Sequence, residues 1–398
     1  MSPLGKLGSA FLIVAVLFFP ACRGAMDSTG NPAPGSGGSP AAADLPPTQS
    51  PVKRLIVVNM QNRSFDNLFG TFPGAEGIRP GVPGFSQRDS GGNIVTPFLI
   101  TTDATTDLPH GRNFYLAAWN NGGMDRYAAV EGSLSMGHYD NTTAGVGTLW
   151  SYASQFALAD HYFASVMSNE PANMLYLVRA DDNNFPFSIQ PAFGPCNKPD
   201  PAAHPFTNQN VGDQLTAKGI TWTWYHENYG DCGNYVAVEN PFQFFTSTQN
   251  SAHIQDLSAF NTALAANNLP AVVFVQPAPA HDMHPGSGPV SRSVEWLDGF
   301  IKQVQASPAW NSVAIVVLWD ESGGWWDHVP PPQVDSQGYG ARAPMMVISP
   351  FAKRNYISHL TMDHTSVLRF ISWNWGLAPL NARAGLDANI NLRDMLNF

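Results

Sequence analysis

Acidic and histidine side chains gather directly behind a short apolar run toward the C-terminus of the chain. Asp320 and Glu321 follow the run at 313–319, and Asp327 and His328 come after a pair of glycines. The run is rich in β-branched residues, which predicts a buried strand. Open α/β sheets bind their ligands at the carboxyl ends of such strands. Carboxylates and a histidine in that position can bind a metal ion or transfer protons.

A second polar cluster follows the first apolar run of the folded part. Residues 54–60 are β-branched and predict another core strand, and Gln61, Asn62 and Arg63 follow at once. Ser64 can cap a short helix that extends to Phe69. The pattern again places polar side chains at the carboxyl end of a strand.

Strands and helices alternate along the chain, and this alternation predicts an α/β fold with a parallel sheet. The further predicted strands cover 219–225, 271–276 and 343–349. The predicted helices cover 211–218, 292–306 and 364–375, and Asn210 caps the first of them. Residues 71–146 lack periodicity and are rich in Gly, Thr and Asn, which is typical of lid or pocket-wall loops.

The N-terminus has the features of an export signal. An apolar run too short for a mature membrane span ends in F-P-A-C, which predicts a lipoprotein signal over 1–21 with Cys22 as the lipidated residue. Ordinary signal cleavage nearby is the alternative, because Phe19 replaces the usual Leu. Residues 22–50 predict a flexible Gly/Ser/Pro/Ala tether, and 51–398 predict a single α/β domain.

In an oxidising compartment, Cys196 and Cys232 would form a disulfide, although two free thiols are also consistent with the sequence.

Composition limits the classes of partner. Only 13% of the residues are charged, the formal net charge is −10, and the sequence contains no Lys/Arg cluster. Nucleic-acid binding is therefore not expected. An anionic substrate would need a local cation, because the overall charge repels it.

Residues 61–66, Q-N-R-S-F-D, resemble the E-N-R-S-F-D motif of a bacterial phosphoesterase family that includes phosphatidylcholine-hydrolysing phospholipases C and an acid phosphatase. Residues 320–332, D-E-S-G-G-W-W-D-H-V-P-P-P, resemble the second signature of that family. Further blocks follow in the same order between about residues 52 and 375. The resemblance implies an alkaline-phosphatase-like fold, with a central, mostly parallel sheet flanked by helices and long loop insertions that form a pocket wall.

The resemblance also implies one divalent metal ion. The family's metal ligands correspond to Gln61, Asn62, Asp320 and Glu321, all of which offer oxygen atoms that suit a hard or borderline cation. The family's Ser or Thr nucleophile falls within residues 165–177, S-V-M-S-N-E-P-A-N-M-L-Y-L, where it corresponds to Glu170.

Two departures from the family pattern thus fall in one small site. A motif carboxylate has become Gln61 and the expected hydroxyl has become Glu170, so the net ligand charge is unchanged. We interpret Glu170 as a metal ligand that compensates for Gln61. Three mechanisms stay open: direct attack by water with Glu170 or a histidine as general base, use of Ser168 as the nucleophile, or loss of the chemistry with the metal and pocket retained.

Three histidines correspond to active-site histidines of the family. His110, His284 and His328 are expected to contact phosphoryl oxygens or to protonate the leaving group. Asp282 or His281 is expected to orient His284. Trp222 and Trp224 are expected in the core by strand alternation, whereas Trp325 and Trp326 could face the pocket.

The sequence therefore predicts an exported, metal-dependent hydrolase of phosphoric esters, whose substrate could be a phospholipid and whose membrane contact is a lipid anchor. The alternative is a catalytically altered, metal-binding lipoprotein that binds its ligand without hydrolysing it. Hydrolysis of a sulfate or phosphonate ester on a related fold also stays open.

Overall fold

The computed structural model describes residues 45–182, 205–386 and 391–398. The strands in these ranges are β1 (Arg54–Met60), β2 (Gln87–Arg88), β3 (Ile94–Val95), β4 (Phe98–Leu99), β5 (Gly137–His138), β6 (Ala157–Ala159), β7 (Tyr162–Phe163), β8 (Trp222–His226), β9 (Ile254–Asp256), β10 (Val272–Gln276), β11 (Val313–Trp319), β12 (Met345–Ile348), β13 (Tyr356–Ser358) and β14 (Met362–Asp363).

The α-helices in the same ranges are α1 (Phe65–Phe69), α2 (Arg112–Trp119), α3 (Tyr127–Val130), α4 (Val146–Gln155), α5 (Glu170–Arg179), α6 (Val211–Ala217), α7 (Leu257–Ala265), α8 (Val290–Gln305), α9 (His364–Trp375) and α10 (Ala382–Gly385). The predicted helices are confirmed with small shifts of their ends. The cap predicted for α6 is a full capping box between Asn210 and Asp213.

One large sheet organises the described part of the chain, in the order β13-β6-β12-β11-β1-β10-β8-β9. Strands β11, β1, β10, β8 and β9 run parallel to one another. Both β1 and β11 are buried along their whole length, which explains why their sequences are apolar without alternation. The predicted α/β class, with a mostly parallel sheet flanked by helices, is confirmed.

The sheet is not purely parallel, because strand β12 runs antiparallel to β11. The chain between them, residues 320–344, forms loops without a crossover helix. A strand that returns without a crossover must run in the opposite direction. Strand β8 also starts later than predicted, because Gly219 has a φ of +70° and forms a turn.

The sequence predicts loops over 71–146, but residues 78–138, which we call the wall lobe, contain the short helices α2 and α3. The periodicity of α2 is weak because only Tyr115 and Ala118 of that helix are buried. The lobe has a small core of its own, formed by Val82, Ala118, Met124, Tyr127, Ala128 and Met136 together with Trp326.

The four tryptophans named in the sequence analysis are all buried. Trp222 and Trp224 lie in the main core, as the strand alternation predicts. Trp325 also packs in the main core, whereas Trp326 packs in the core of the wall lobe and donates from its indole nitrogen to the Met124 carbonyl at 3.0 Å. The glycine turn therefore joins the main core to the lobe.

The predicted leader at 1–21, most of the tether at 22–50 and Cys196 lie outside the described residues. The lipid anchor, the domain boundaries and the Cys196–Cys232 pairing therefore stay predictions. Within residues 45–182, 205–386 and 391–398, no helix is both long enough and apolar enough to cross a membrane.

Helix α9 fixes the backbone at the end of β11. Its first residue, His364, is fully buried and contacts the carbonyl oxygen of Asp320 through Nε2 at 2.7 Å. A carbonyl can only accept, so Nε2 carries the proton and Nδ1 accepts from the Tyr162 hydroxyl. The neutral imidazole thereby holds Asp320 in place.

We expect this histidine to make stability depend on pH. Burial lowers the pKa of His364 from 6.5 to about 4. Between these pH values the unfolded chain binds a proton that the folded chain does not, so stability falls as the pH is lowered. Wild type should lose up to about 3 kcal/mol relative to His364→Gln between pH 7 and pH 4. Urea denaturation of both proteins at the two pH values measures this difference, and parallel pH profiles would contradict it.

Candidate active site

The two polar clusters meet at the carboxyl edge of the sheet. Met60 and Trp319 are register partners in β1 and β11, so the residues that follow them lie side by side. The backbone N–H of Asn62 donates to Asp320 Oδ1 at 2.8 Å, and that of Arg63 donates to the Glu321 carbonyl at 3.1 Å. The structure thus brings the stretch at 61–63 against Asp320 and Glu321.

A glycine makes this close approach possible. Gly323 has a φ of +61°, and a Cβ at this position would lie 2.5 Å from the Asn62 carbonyl oxygen. Any other residue would therefore push the two strand ends apart. The Gly323 N–H also donates to Glu321 Oε2 at 2.6 Å, which orients that carboxylate.

Glu170 joins the site from a different element. It is the first residue of α5, behind the N-cap Asn169, and its Oε1 accepts from Gln61 Nε2 at 2.6 Å. A carboxylate at a helix N-terminus is stabilised by the helix dipole. The two residues that depart from the family pattern are therefore in direct contact.

Ser168 lies in the loop that precedes α5. Asn173 fixes this loop, because its amide accepts from the Val166 N–H at 3.0 Å and donates to the Ser168 carbonyl at 2.9 Å. The Ser168 hydroxyl donates to Asn169 Oδ1 at 3.3 Å. Ser168 is thus near Glu170 in sequence, but its hydroxyl is engaged with a neighbouring side chain.

Two further carboxylates belong to the site and were not among the predicted ligands. Glu239 and Asp282 are buried and interact electrostatically with Asp320 and Glu170. Asp282 follows β10, and its carbonyl accepts from the Gln61 N–H at 2.7 Å. Glu239 lies in a short 3-10 helix (Ala237–Glu239) without a motif. Strand-end position could have identified Asp282, whereas the sequence around Glu239 carries no comparable signal.

Burial and mutual repulsion dominate the electrostatics of this pocket. Burial raises the pKa of Asp320 and that of Glu321 to about 7. Burial, followed by repulsion from the other acids, raises the pKa of Glu170 and that of Asp282 well above their ordinary values. A bound cation would allow these carboxylates to be ionised together.

The oxygen atoms of the site fit such a cation. Four acceptors, Gln61 Oε1, Asn62 Oδ1, Asp320 Oδ2 and Glu321 Oε1, are buried and have no hydrogen-bond partner among the described residues. Buried acceptors without donors are costly unless something positive compensates them. Amide and carboxylate oxygens are ligands of hard and borderline divalent ions.

His110 contacts one of these residues, and His284 lies next to His110. Asn62 Nδ2 donates to His110 Nε2 at 3.2 Å, which leaves Asn62 Oδ1 for the pocket. The pKa of His110 is raised overall. Burial acts to lower it, but Glu321 and other nearby carboxylates, together with the hydrogen bond to the Leu108 carbonyl, raise it by a larger amount. The imidazole rings of His110 and His284 are 6.0 Å apart.

The backbone around His284 leaves one ring nitrogen available. His284 Nδ1 donates to the Pro285 carbonyl at 2.7 Å, so Nε2 carries the lone pair. Asp282 Oδ1 accepts from the His284 N–H at 2.7 Å and thus helps to place the residue. His281 instead contacts Glu227, at 2.9 Å.

His328 lies in a separate buried network. Asp66 Oδ2 accepts from His328 Nδ1 at 2.6 Å and from its backbone N–H at 2.8 Å. Arg342 pairs with Asp66 at 3.0 Å and with Asp327 at 3.0 Å. Asp327 therefore supports Arg342, and Asp66 orients His328. Sequence reasoning did not identify Asp66 or Arg342 in this role, although both stand in blocks that resemble the family.

The chain belongs to the Phosphoesterase family, whose model matches residues 52–378. A non-hemolytic phospholipase C of Pseudomonas aeruginosa is 26% identical over 83% of this chain and 55% of that protein. Phospholipase C A of Mycobacterium tuberculosis is 24% identical over 90% of this chain and 79% of that protein. The chain thus spans little more than half the length of the Pseudomonas relative.

Solved structures show a more distant likeness. Murine ectonucleotide pyrophosphatase/phosphodiesterase 5 aligns with a TM-score of 0.46 and 10% identity, over 87% of this chain and 100% of that chain. The lipoteichoic acid synthase LtaP from Listeria monocytogenes aligns with a TM-score of 0.43 and 10% identity, over 82% and 72% of the two chains. The fold class rests on the sheet and helices described above.

We expect the Asp66 network to be important for stability. Asp66→Asn removes one of the two carboxylates that compensate the buried Arg342, and breaking a buried ion pair costs about 3–5 kcal/mol. The exposed pair between Lys302 and Asp298 provides the control, because Lys302→Ala should cost about 1 kcal/mol or less. Urea denaturation at pH 7 measures both, and equal losses would contradict the assignment.

Proposed function

We propose that this chain is a metal-dependent hydrolase of phosphoric esters, with phospholipids among its substrates. Family membership and the phospholipases C among its relatives support this function. The observation that carries the proposal is the set of unpartnered acceptor oxygens, within the described residues, on Gln61, Asn62, Asp320 and Glu321.

One divalent ion would be held by these four residues and by Glu170. Such an ion supplies positive charge that neutralises phosphoryl oxygens. Arg63 does not provide this charge, because its guanidinium is buried and donates to the Met283 carbonyl and to Asn67. The binding of an anionic ester in this acidic pocket therefore depends on the ion.

Glu170 changes the course of hydrolysis. A carboxylate at the position of the usual hydroxyl cannot form a phosphoserine or phosphothreonine. We propose that water attacks phosphorus directly while the bond from phosphorus to the ester oxygen breaks, and that His284 accepts the proton of the water through the lone pair on Nε2. The alkoxide that leaves takes up a proton and departs as the alcohol. His110 lies between Asn62 and Leu108. We propose that it exchanges the Asn62 contact for one with the phosphoryl oxygens or the leaving group when an ester binds.

A binding protein is the second candidate. The proposed correspondence of Glu170 to the family's hydroxyl position favours it, because the same pocket could hold a metal ion and an ester without turnover. The two functions differ in product release, which makes them experimentally separable.

Removal of the metal should abolish hydrolysis. Asp320→Asn removes a proposed ligand and should lower both the metal content and the turnover of a nitrophenyl phosphate ester, the latter by about 100-fold or more. Chelation should have the same effect, and re-addition of a divalent ion should restore activity. Asp298→Asn on α8, whose carboxylate pairs with Tyr152 and Lys302 and not with the proposed ligands, serves as the control.

Metal analysis and nitrophenol release measure these effects. Full turnover after verified removal of the metal would refute the proposed metal dependence. Stable metal binding without release of nitrophenol from monoesters or diesters would favour the binding protein instead.

Covalent labelling tests the role of Glu170. Wild type should show no phosphoryl-enzyme after rapid quenching with a radiolabelled ester, and Ser168→Ala should keep at least about half of its activity. Glu170→Ser restores a hydroxyl and should trap label at residue 170. Label on Ser168 in the wild type, with loss of activity in Ser168→Ala, would show that Ser168 is the nucleophile.

A further inference from the structure

The wall lobe carries most of the large apolar side chains that are exposed within the described residues. Five of the eight large apolar side chains that are exposed within the described residues lie on it: Ile94, Phe98, Leu99, Phe114 and Leu116. The exposed fraction is 65% for Ile94 and 45% for Phe114. The other three, Leu360, Leu386 and Phe398, are scattered over the C-terminal part of the sequence.

Internal packing does not require these side chains. The lobe already has the small core formed around Met124, Tyr127 and Trp326. Burying the outer residues would remove apolar area from water, which is favourable for any partner with an apolar surface.

The lobe is attached directly to the candidate active site. Its residue His110 contacts Asn62, and the Tyr115 hydroxyl accepts from the Gly324 N–H at 3.1 Å. The exposed Phe114 and Leu116 flank Tyr115 on α2. A partner bound to this part of the lobe would therefore lie close to the proposed metal ligands.

The charge pattern indicates which partner fits. Residues 94–102 and 113–123 contain no charged side chain, and the formal net charge of the chain is −10. Anionic membranes attract basic clusters, which these stretches lack. An apolar, uncharged surface on an acidic protein suits a membrane surface without net charge.

We propose that the wall lobe binds the surface of a zwitterionic phospholipid bilayer, with Phe98, Phe114 and Leu116 inserted among the lipids. The contact would place the site at the interface where phosphate esters of lipids are located. The biological purpose of this surface rests on the proposed function, but membrane binding itself can be measured without turnover.

Vesicle sedimentation tests the proposal. All proteins are made as the full chain with Cys22→Ser, so that no acyl anchor can attach. The test variant is Phe98→Ser/Phe114→Ser, and the matched control is Leu360→Ser/Leu386→Ser, which removes two exposed apolar side chains outside the lobe. Partition into phosphatidylcholine vesicles should fall about tenfold or more in the test variant and stay unchanged in the control.

Hydrolysis of a soluble nitrophenyl ester separates the two proposals. It should be unchanged in both variants, because none of the four residues belongs to the proposed site. Three results would refute the proposed membrane-binding surface. They are equal vesicle binding by wild type and test variant, an equal loss of binding in the control variant, and stronger binding to anionic than to zwitterionic vesicles. Vesicle binding by a wild type that hydrolyses no phosphate ester would support the surface and refute the proposed function.

Discussion

The arrangement of the site depends on how the repulsion among its buried carboxylates is compensated. Glu170, Glu239 and Asp282 interact electrostatically with Asp320, which Glu321 follows directly, and burial penalises the charge on each of the five. A fold that keeps so many acids together must supply either protons or a cation. The unpartnered oxygens, within the described residues, favour the cation. The strand ends, the glycine turn and the start of α5 are then the elements that hold its ligands in place.

The second buried acidic cluster shows the contrast. Asp66 and Asp327 are also buried, but Arg342 compensates both at 3.0 Å. This charge balance joins α1 to the loop after β11. The same types of side chain thus serve two purposes, and the presence of an arginine distinguishes them. His328 has one ring nitrogen with a partner and one without. Asp66 accepts from its Nδ1, whereas its Nε2 has no partner within the described ranges.

The sequence predicts the part of the site that lies at strand ends. Asp320 and Gln61 follow apolar runs, and a parallel sheet places such positions at one edge. Contacts made by irregular backbone could not be predicted from the sequence. Glu239 lies in a short 3-10 helix and enters the pocket because of loop conformation, which leaves no period in the sequence. Pairing of Asp66 with His328, across 262 positions, likewise depends on the folded loop. Helix α2 was missed because only Tyr115 and Ala118 of its eight residues are buried, and α3 because its four residues are too few to show a period.

The contact between Gln61 and Glu170 gives a physical reason for the two proposed departures from the family pattern to occur together. Gln61 Nε2 donates to Glu170 Oε1 at 2.6 Å. A glutamate at position 61 would face the Glu170 carboxylate at the same distance, without a proton to share when both are ionised, and the repulsion in a buried site would be severe. An amide at position 61 removes that repulsion and keeps one oxygen for the pocket. If Glu170 takes the position of the family's hydroxyl, as we propose, a neutral donor at position 61 avoids this repulsion. On that proposal the pair would conserve the charge of the ligand set while replacing the hydroxyl nucleophile.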